Sequence, residues 1–346
     1  MDRTLTRTVL LLGSGAAAGG LGAFLWSRRQ GDSLRGKVVL ITGGSRGLGL
    51  ALARGFARQG ASLALCARSE DELDSARRDL SAVTPDVLTL PCDVSDRQQV
   101  DRLITAALDR YGRIDVLVNN AGRISVGPVD SMTVEDFEQA MAVMFWGTVY
   151  PTLAVLPHMR SRGEGRIVNI TSIGGKVSVP HLVPYSCAKF AAVAFSEGLR
   201  AELSETGIKV VTIAPGLMRT GSYRNAVFKG DAAAESVWFS AGASIPAITI
   251  GAERAARQII AAARRGQAER ILSTPAKLLA LAHGMFPGTV SEILGLVNRL
   301  LPHDGHQARR GSESAALEKP WLRAVTVLGR QAAERFLQPA APGTVR

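Results

Sequence analysis

The sequence predicts an α/β fold: a doubly wound parallel sheet with added helices at the C-terminus. Short apolar, β-branched runs recur along the chain, and amphipathic segments at helical spacing separate them. A glycine-rich turn joins the first run to the first such segment. Strict alternation of this kind implies right-handed crossovers between parallel strands.

The first strand is read at residues 37–42, where Val38, Val39, Leu40 and Ile41 form an unbroken apolar run. A helix over 47–59 follows, repeating Leu48, Ala51, Leu52, Gly55 and Phe56 at helical spacing. Strands at 61–67, 87–90 and 114–119 alternate with helices at 69–80 and 95–111. A long helix over 134–159 leads to a strand at 166–171, a helix at 183–206 and a strand at 208–214. A helix at 252–265 and a strand at 269–273 complete the alternation.

A chain of 346 residues fits one α/β domain of about 250 residues with terminal additions. The division read here is an N-terminal apolar segment at 1–35, a catalytic domain at 36–274 and a helical extension with a polar linker at 275–346. The net charge is +11, and residues 253–346 carry 14 Lys/Arg against 7 Asp/Glu. An anionic membrane surface suits that surplus. Aromatic residues make up only 5% of the chain and no basic run is interleaved with them, so no nucleic-acid partner is expected. Cys66, Cys92 and Cys187 are widely spaced and the five histidines do not cluster. A reducing compartment follows, and no metal is expected.

Residues 9–26 contain no charge, with Arg3 and Arg7 before them and Arg28, Arg29, Arg35 and Lys37 after. Such a helix would be about 27 Å long, close to the hydrocarbon thickness of a bilayer. The stronger positive flank on the C-terminal side predicts a membrane anchor with a cytoplasmic body. A cleaved signal peptide is the competing reading, because Ala16, Ala17 and Ala18 offer small residues for cleavage.

Thr42-Gly43-Gly44-Ser45-Arg46-Gly47-Leu48-Gly49 stands between the first strand and first helix. Glycines there let backbone approach a pyrophosphate, and the helix N-terminus supplies free N–H groups. The second strand ends Ala67-Arg68, where an NAD-selective fold of this kind carries an acidic residue. Arg46 and Arg68 suit a 2′-phosphate instead, which selects NADP(H).

With Cys92-Asp93-Val94, Asn119-Asn120-Ala121-Gly122, Tyr185-Ser186-Cys187-Ala188-Lys189 and Pro215-Gly216 in that order, the chain resembles the short-chain dehydrogenase/reductase family over residues 36–274. The resemblance implies a Rossmann fold and hydride transfer between nicotinamide and a carbonyl or secondary alcohol. It implies Tyr185 as the proton-transfer residue, Lys189 as its cationic neighbour and holder of the nicotinamide ribose, and Ser172 as a hydrogen-bonding group on the substrate oxygen. Tyr185 and Lys189 are one helical turn apart and share a face, where an ammonium would lower the phenol pKa. For the cofactor the resemblance adds Gly43, Ser45, Arg46, Gly47, Leu48, Gly49 and Arg68. It also adds Asp93 on the adenine, Val94, Asn119 bracing the sheet, Ala121, Gly122, Pro215, Gly216, and Thr220 on the carboxamide. Pairing through the helices at 134–159 and 183–206 would make a homodimer or homotetramer.

One departure stands in the long helix. Many members have an asparagine where this chain reads Val143-Met144-Phe145-Trp146-Gly147. That asparagine bends the helix and holds a water linked to the lysine, and a thioether cannot donate a hydrogen bond. Slower turnover or another proton path is the expectation. Met144 is also the sole support for the alternative function, a catalytically impaired NADP(H)-binding protein acting as sensor or scaffold.

Residues 220–250 are rich in small and apolar side chains, including Tyr223, Phe228, Trp238 and Phe239. In the family this region covers the substrate, so a lipophilic substrate is expected. Helices at 276–286 and 289–301 follow, the second with Val290, Ile293, Leu294, Val297 and Leu301 on one face. Packing on the domain or a second subunit is preferred for that face over a membrane interface with Lys277 and Arg299 at the headgroups. A polar linker at 302–319 and a final helix within 320–338 end the reading.

Overall fold

The computed structural model describes residues 32–303, 305, 307–313 and 320–338. The apolar segment at 9–26 lies outside the described residues, as does part of the stretch read as a polar linker.

Seven strands form one parallel sheet: β1 (Val38–Thr42), β2 (Ser62–Ala67), β3 (Val87–Pro91), β4 (Val116–Asn119), β5 (Gly165–Ile170), β6 (Ile208–Pro215) and β7 (Glu269–Leu272). Their order is β3-β2-β1-β4-β5-β6-β7. The order reverses between β1 and β4, and a crevice opens at the carboxyl ends of the strands there. The helices are α1 (Gly47–Ala57), α2 (Glu70–Leu80), α3 (Arg97–Tyr111), α4 (Val134–Arg162), α5 (Val183–Glu202), α6 (Ala232–Gly242), α7 (Ala252–Arg265), α8 (Thr274–Met285), α9 (Pro287–Asn298), α10 (Pro320–Val325) and α11 (Val327–Arg335).

β1 shows why its sequence is apolar throughout. Val39 and Ile41 face a core containing Leu50, Leu52 and Phe56 of α1, Leu73 of α2, and Ile259 and Ile260 of α7. Leu40 faces the opposite core, with Leu103 and Ile104 of α3, Val155 and Met159 of α4, and Leu199 of α5. Two-residue alternation sends side chains into two helical layers, so every position is buried.

Three features differ from the sequence reading. The stretch read as a linker contains a strand, Gln307–Arg310, antiparallel to Val227–Gly230, which pairs in turn with Ser125–Val126. The final helix is two, broken at Thr326. The α9 stripe packs on the domain only in part, which leaves a second subunit untested: Val290 is buried, Leu294 and Leu301 are half-buried, and Ile293 and Val297 are exposed. α8 packs on α9 and leaves Leu278, Leu281, Met285 and Phe286 exposed as well.

α4 holds the answer to the missing asparagine. A single π turn, Ala142–Trp146, interrupts the helix without it. Met144 is buried there among Ala140, Ala188 and Tyr185, and the Thr148 hydroxyl donates to its carbonyl at 2.9 Å. The irregular turn forms on apolar packing and a threonine.

Candidate active site

The glycine turn is tied down from β4. The Thr42 hydroxyl accepts the N–H groups of Asn120 (3.0 Å) and Ala121 (3.1 Å). The Asn120 amide donates back to the carbonyls of Thr42 and Gly43, both at 3.0 Å. Gly43 has φ +64°, and a Cβ there would sit 3.0 Å from the Ala121 Cα. At Gly49 a Cβ would strike the Gly43 carbonyl. Both positions therefore require glycine for steric reasons. Ser45, Gly47 and Leu48 are buried at the start of α1, and Gly122 is exposed beyond β4.

Arg46 is engaged with Glu72 in an ion pair, and the Ser45 hydroxyl donates to the same carboxylate at 3.0 Å. Glu72 stands three residues after the helix cap Ser69, whose side chain accepts the Glu72 N–H. Its carboxylate turns to the glycine turn instead of back to the cap. Arg68 is exposed at the end of β2. Burial lowers the Arg46 pKa, Glu72 works against that, and the charges of Arg68 and Arg310 lower it further. Burial likewise lowers Arg123, opposed by Asp136, and again Arg68 and Arg310 add to the effect. Four guanidinium groups thus sense one another around the crevice.

Asp93 accepts from the N–H and hydroxyl of Ser95, at 2.9 and 2.6 Å, which fixes the turn after β3. Val94 is buried against Gly147, where a Cβ would lie 2.6 Å from the valine methyl. Asn119 braces the sheet: its amide donates to Thr152 at 2.9 Å and to Asn169 at 2.8 Å. Asn169 donates to Ser196 (2.9 Å), whose hydroxyl meets that of Thr212 at 2.7 Å. Pro215 ends β6, and a Cβ at Gly216 would come 2.8 Å from the Ser273 hydroxyl. Thr220 is buried, with its hydroxyl accepting the Ser222 N–H.

Ser172, Tyr185 and Lys189 come together where β5 ends and α5 begins. The Ser172 hydroxyl accepts the Gly174 N–H at 3.0 Å and hydrogen-bonds to the Tyr185 phenol. Lys189 is buried, its ammonium 5.9 Å from the centre of the Tyr185 ring, donating to the Ile170 carbonyl at 2.9 Å. Burial pushes the lysine down from 10.5 to about 8. It also pushes the tyrosine up, with the Ser172 hydrogen bond opposing. The expected lowering of the phenol by the ammonium is therefore not met here: burial raises the phenol, and the group that opposes it is Ser172. Cys187, between Tyr185 and Lys189 on α5, is exposed. Cys66 and Cys92 are buried and share a hydrogen bond.

Lys189 tests whether a dinucleotide suits the site. Among the described residues no acidic side chain counters the desolvation of its buried ammonium, and its hydrogen bond to Ile170 leaves donor capacity for ribose hydroxyls. The converging arginines suit a polyanion. The residues fit.

Several contributors had no local signal. Glu72, Arg123 and Arg310 act through contacts between distant segments. So does His181, at φ +63°, whose ring meets Glu235 at 2.7 Å while the Trp238 indole donates to the same carboxylate at 2.6 Å. That buried trio fixes the loop leading into α5.

Residues 37–229 match the family model described as short chain dehydrogenase. The chain is 42% identical over 205 residues to a dehydrogenase/reductase SDR family protein 7-like of Anopheles gambiae, covering 58% of this chain and 65% of the relative. It thus spans just under two thirds of that relative's length. A putative ketoacyl reductase of Streptomyces coelicolor is 38% identical over 186 residues, 53% of this chain and 71% of the relative. Among solved structures, a short-chain dehydrogenase from Streptomyces avermitilis superposes with TM-score 0.65 at 32% identity, over 76% of this chain and 98% of that one. An actinorhodin polyketide ketoreductase variant with NADPH gives 0.61 at 30% identity, over 69% and 95%.

Proposed function

The chain belongs to the short chain dehydrogenase family, and from that premise we propose that it is an NADP(H)-dependent oxidoreductase of a lipophilic carbonyl or secondary alcohol, held at a membrane. The convergence of Ser172, Tyr185 and Lys189 carries the proposal.

Nicotinamide supplies or accepts the hydride when bound. Residues 43–49 would seat the pyrophosphate, Arg46 and Arg68 the 2′-phosphate, and Lys189 the ribose. In the reducing direction Ser172 orients the substrate oxygen, and the Tyr185 hydroxyl donates its proton to it. The ammonium of Lys189 stabilises the phenolate left behind. Oxidation reverses these steps.

The small and apolar residues of 220–250 favour a lipophilic substrate; there Tyr223, Phe228 and Phe239 pack with Val126 as a buried cluster beside Leu182 and Trp238. The exposed stripe of α8 and α9 suits a lipid surface. Arg254, Arg257, Arg265 and Arg270 line a depression on the neighbouring α7 and β7, where anionic headgroups are the complementary partner. An impaired NADP(H)-binding role loses part of its support, because the turn in α4 forms without the asparagine.

Absorbance at the nicotinamide band, with NADPH or NADH and a panel of ketones, tests the activity. Tyr185→Phe is expected to abolish turnover while leaving NADPH binding intact; unchanged turnover refutes the assignment. Better use of NADH refutes the reading of Arg46 and Arg68. Carbonate extraction tests the anchor, and release of the full-length chain counts against a spanning helix.

A further inference from the structure

We propose that the dinucleotide crevice has a second ligand, the chain's own C-terminal segment, and that α11 with residues 336–338 must leave before the cofactor binds. The proposal rests on the reading of residues 43–49 as the pyrophosphate turn.

The Phe336 carbonyl accepts the Gly47 N–H at 2.8 Å. That N–H is among the unpaired donors at the start of α1, where a phosphate oxygen would otherwise bind. The Gln338 side chain lies against the same residue: a Cβ on Gly47 would sit 2.6 Å from its Nε2. At the other end of the crevice α11 rests on Gly221, beside Thr220, so closely that any Cβ there would collide with Ala333. The segment therefore runs from the glycine turn to the loop assigned to the carboxamide, along the path of a dinucleotide.

Its anchors are side chains from separate parts of the fold. Arg54 donates to the Arg335 carbonyl at 3.0 Å, and its guanidinium lies 5.4 Å above the Phe336 ring. Arg335 pairs with Glu253, and Asn225 donates to the Gln338 amide oxygen. Ala333 and Phe336 are buried. Between them and Gln338, Leu337 is held at φ +53°, a left-handed conformation that leucine adopts only under constraint. A carbonyl, a buried ring and a strained residue together make a docked but releasable plug. One Gly47 N–H cannot serve both ligands, so binding is competitive.

Amide hydrogen exchange of the full chain, with and without NADPH, tests this, together with NADPH affinity read by energy transfer from tryptophan to the nicotinamide. NADPH is expected to slow exchange at residues 43–49 and to speed it at 327–338. Ala333→Glu, which expels α11 without touching the glycine turn, is expected to bind NADPH about tenfold more tightly if the segment is docked about 90% of the time. Gln338→Ala gives a smaller gain in the same direction and serves if the first variant does not fold. Slower exchange at 327–338 with NADPH means that the segment closes over the cofactor, and overturns the proposal. So does unchanged affinity in both variants. If no form binds NADPH or NADH, the dinucleotide reading fails and the plug with it.

Discussion

Replacing Lys189 by methionine should stabilise the protein while removing its activity. The ammonium is 5% exposed, and its desolvation is the sole cause of its lowered pKa. The fall from 10.5 to about 8, at about 1.4 kcal/mol per tenfold change, makes the buried charge cost about 3 kcal/mol below pH 8. Methionine removes that cost and fills similar volume, but strands the Ile170 carbonyl, which takes back about 1–2 kcal/mol. The net gain is about 1–2 kcal/mol, or about 2–8 °C in Tm for a domain of this size. The sign with pH is fixed too. An unfolded lysine holds its proton up to about pH 10.4, so wild-type stability should rise between pH 8 and 10.5 and fall as pH drops through 8. Thermal melts of both proteins from pH 6 to 10.5, without cofactor, read this directly. A Lys189→Met variant that melts lower at pH 7, or that keeps the wild-type rise above pH 8, would refute the reasoning.

Glu72→Gln should release Arg46 and lower the KM for NADPH several-fold relative to NADH; an unchanged ratio means that Arg46 does not read the 2′-phosphate. Met144→Asn puts an amide among Ala140 and Ala188 and should cost about 1–3 kcal/mol in urea titrations. A rise in kcat despite that loss would show that the missing amide limits turnover, whereas no rate gain means that Met144 does not. On anionic vesicles the amides of α8 and α9 should gain exchange protection. Leu278→Glu combined with Leu281→Glu should remove it, and no protection in the unmodified chain would rule out a lipid contact there.

The alternation of strand and helix was legible because each element carries its own period: Val39 and Ile41 against Leu40 in β1, and Leu52 with Phe56 in α1. The nearness of Tyr185 to Lys189 was legible because they are four residues apart on one helix. What could not be read depends on long-range contact. Asn225 and Gln338 are 113 residues apart, and Arg54 and Arg335 are 281. The strand Gln307–Arg310 is exposed along its length, so it has no apolar alternation to reveal it. Glu72 carries no local mark of its role, and only the fold shows its carboxylate turned to Arg46. The lowered phenol failed for a different reason: spacing reports which groups are neighbours, but not how much water they lose.

The chain of amides and hydroxyls from Thr152 through Asn119, Asn169 and Ser196 to Thr212 has a consequence for how this fold can change. It keys α5 to three adjacent strands at a point two helical turns beyond Lys189, so the catalytic helix cannot slide or rotate without stranding several buried polar groups at once. Alignment of the reacting atoms is thereby insured from below. The end of α5 that carries Tyr185 and Lys189 is held by groups that touch neither residue.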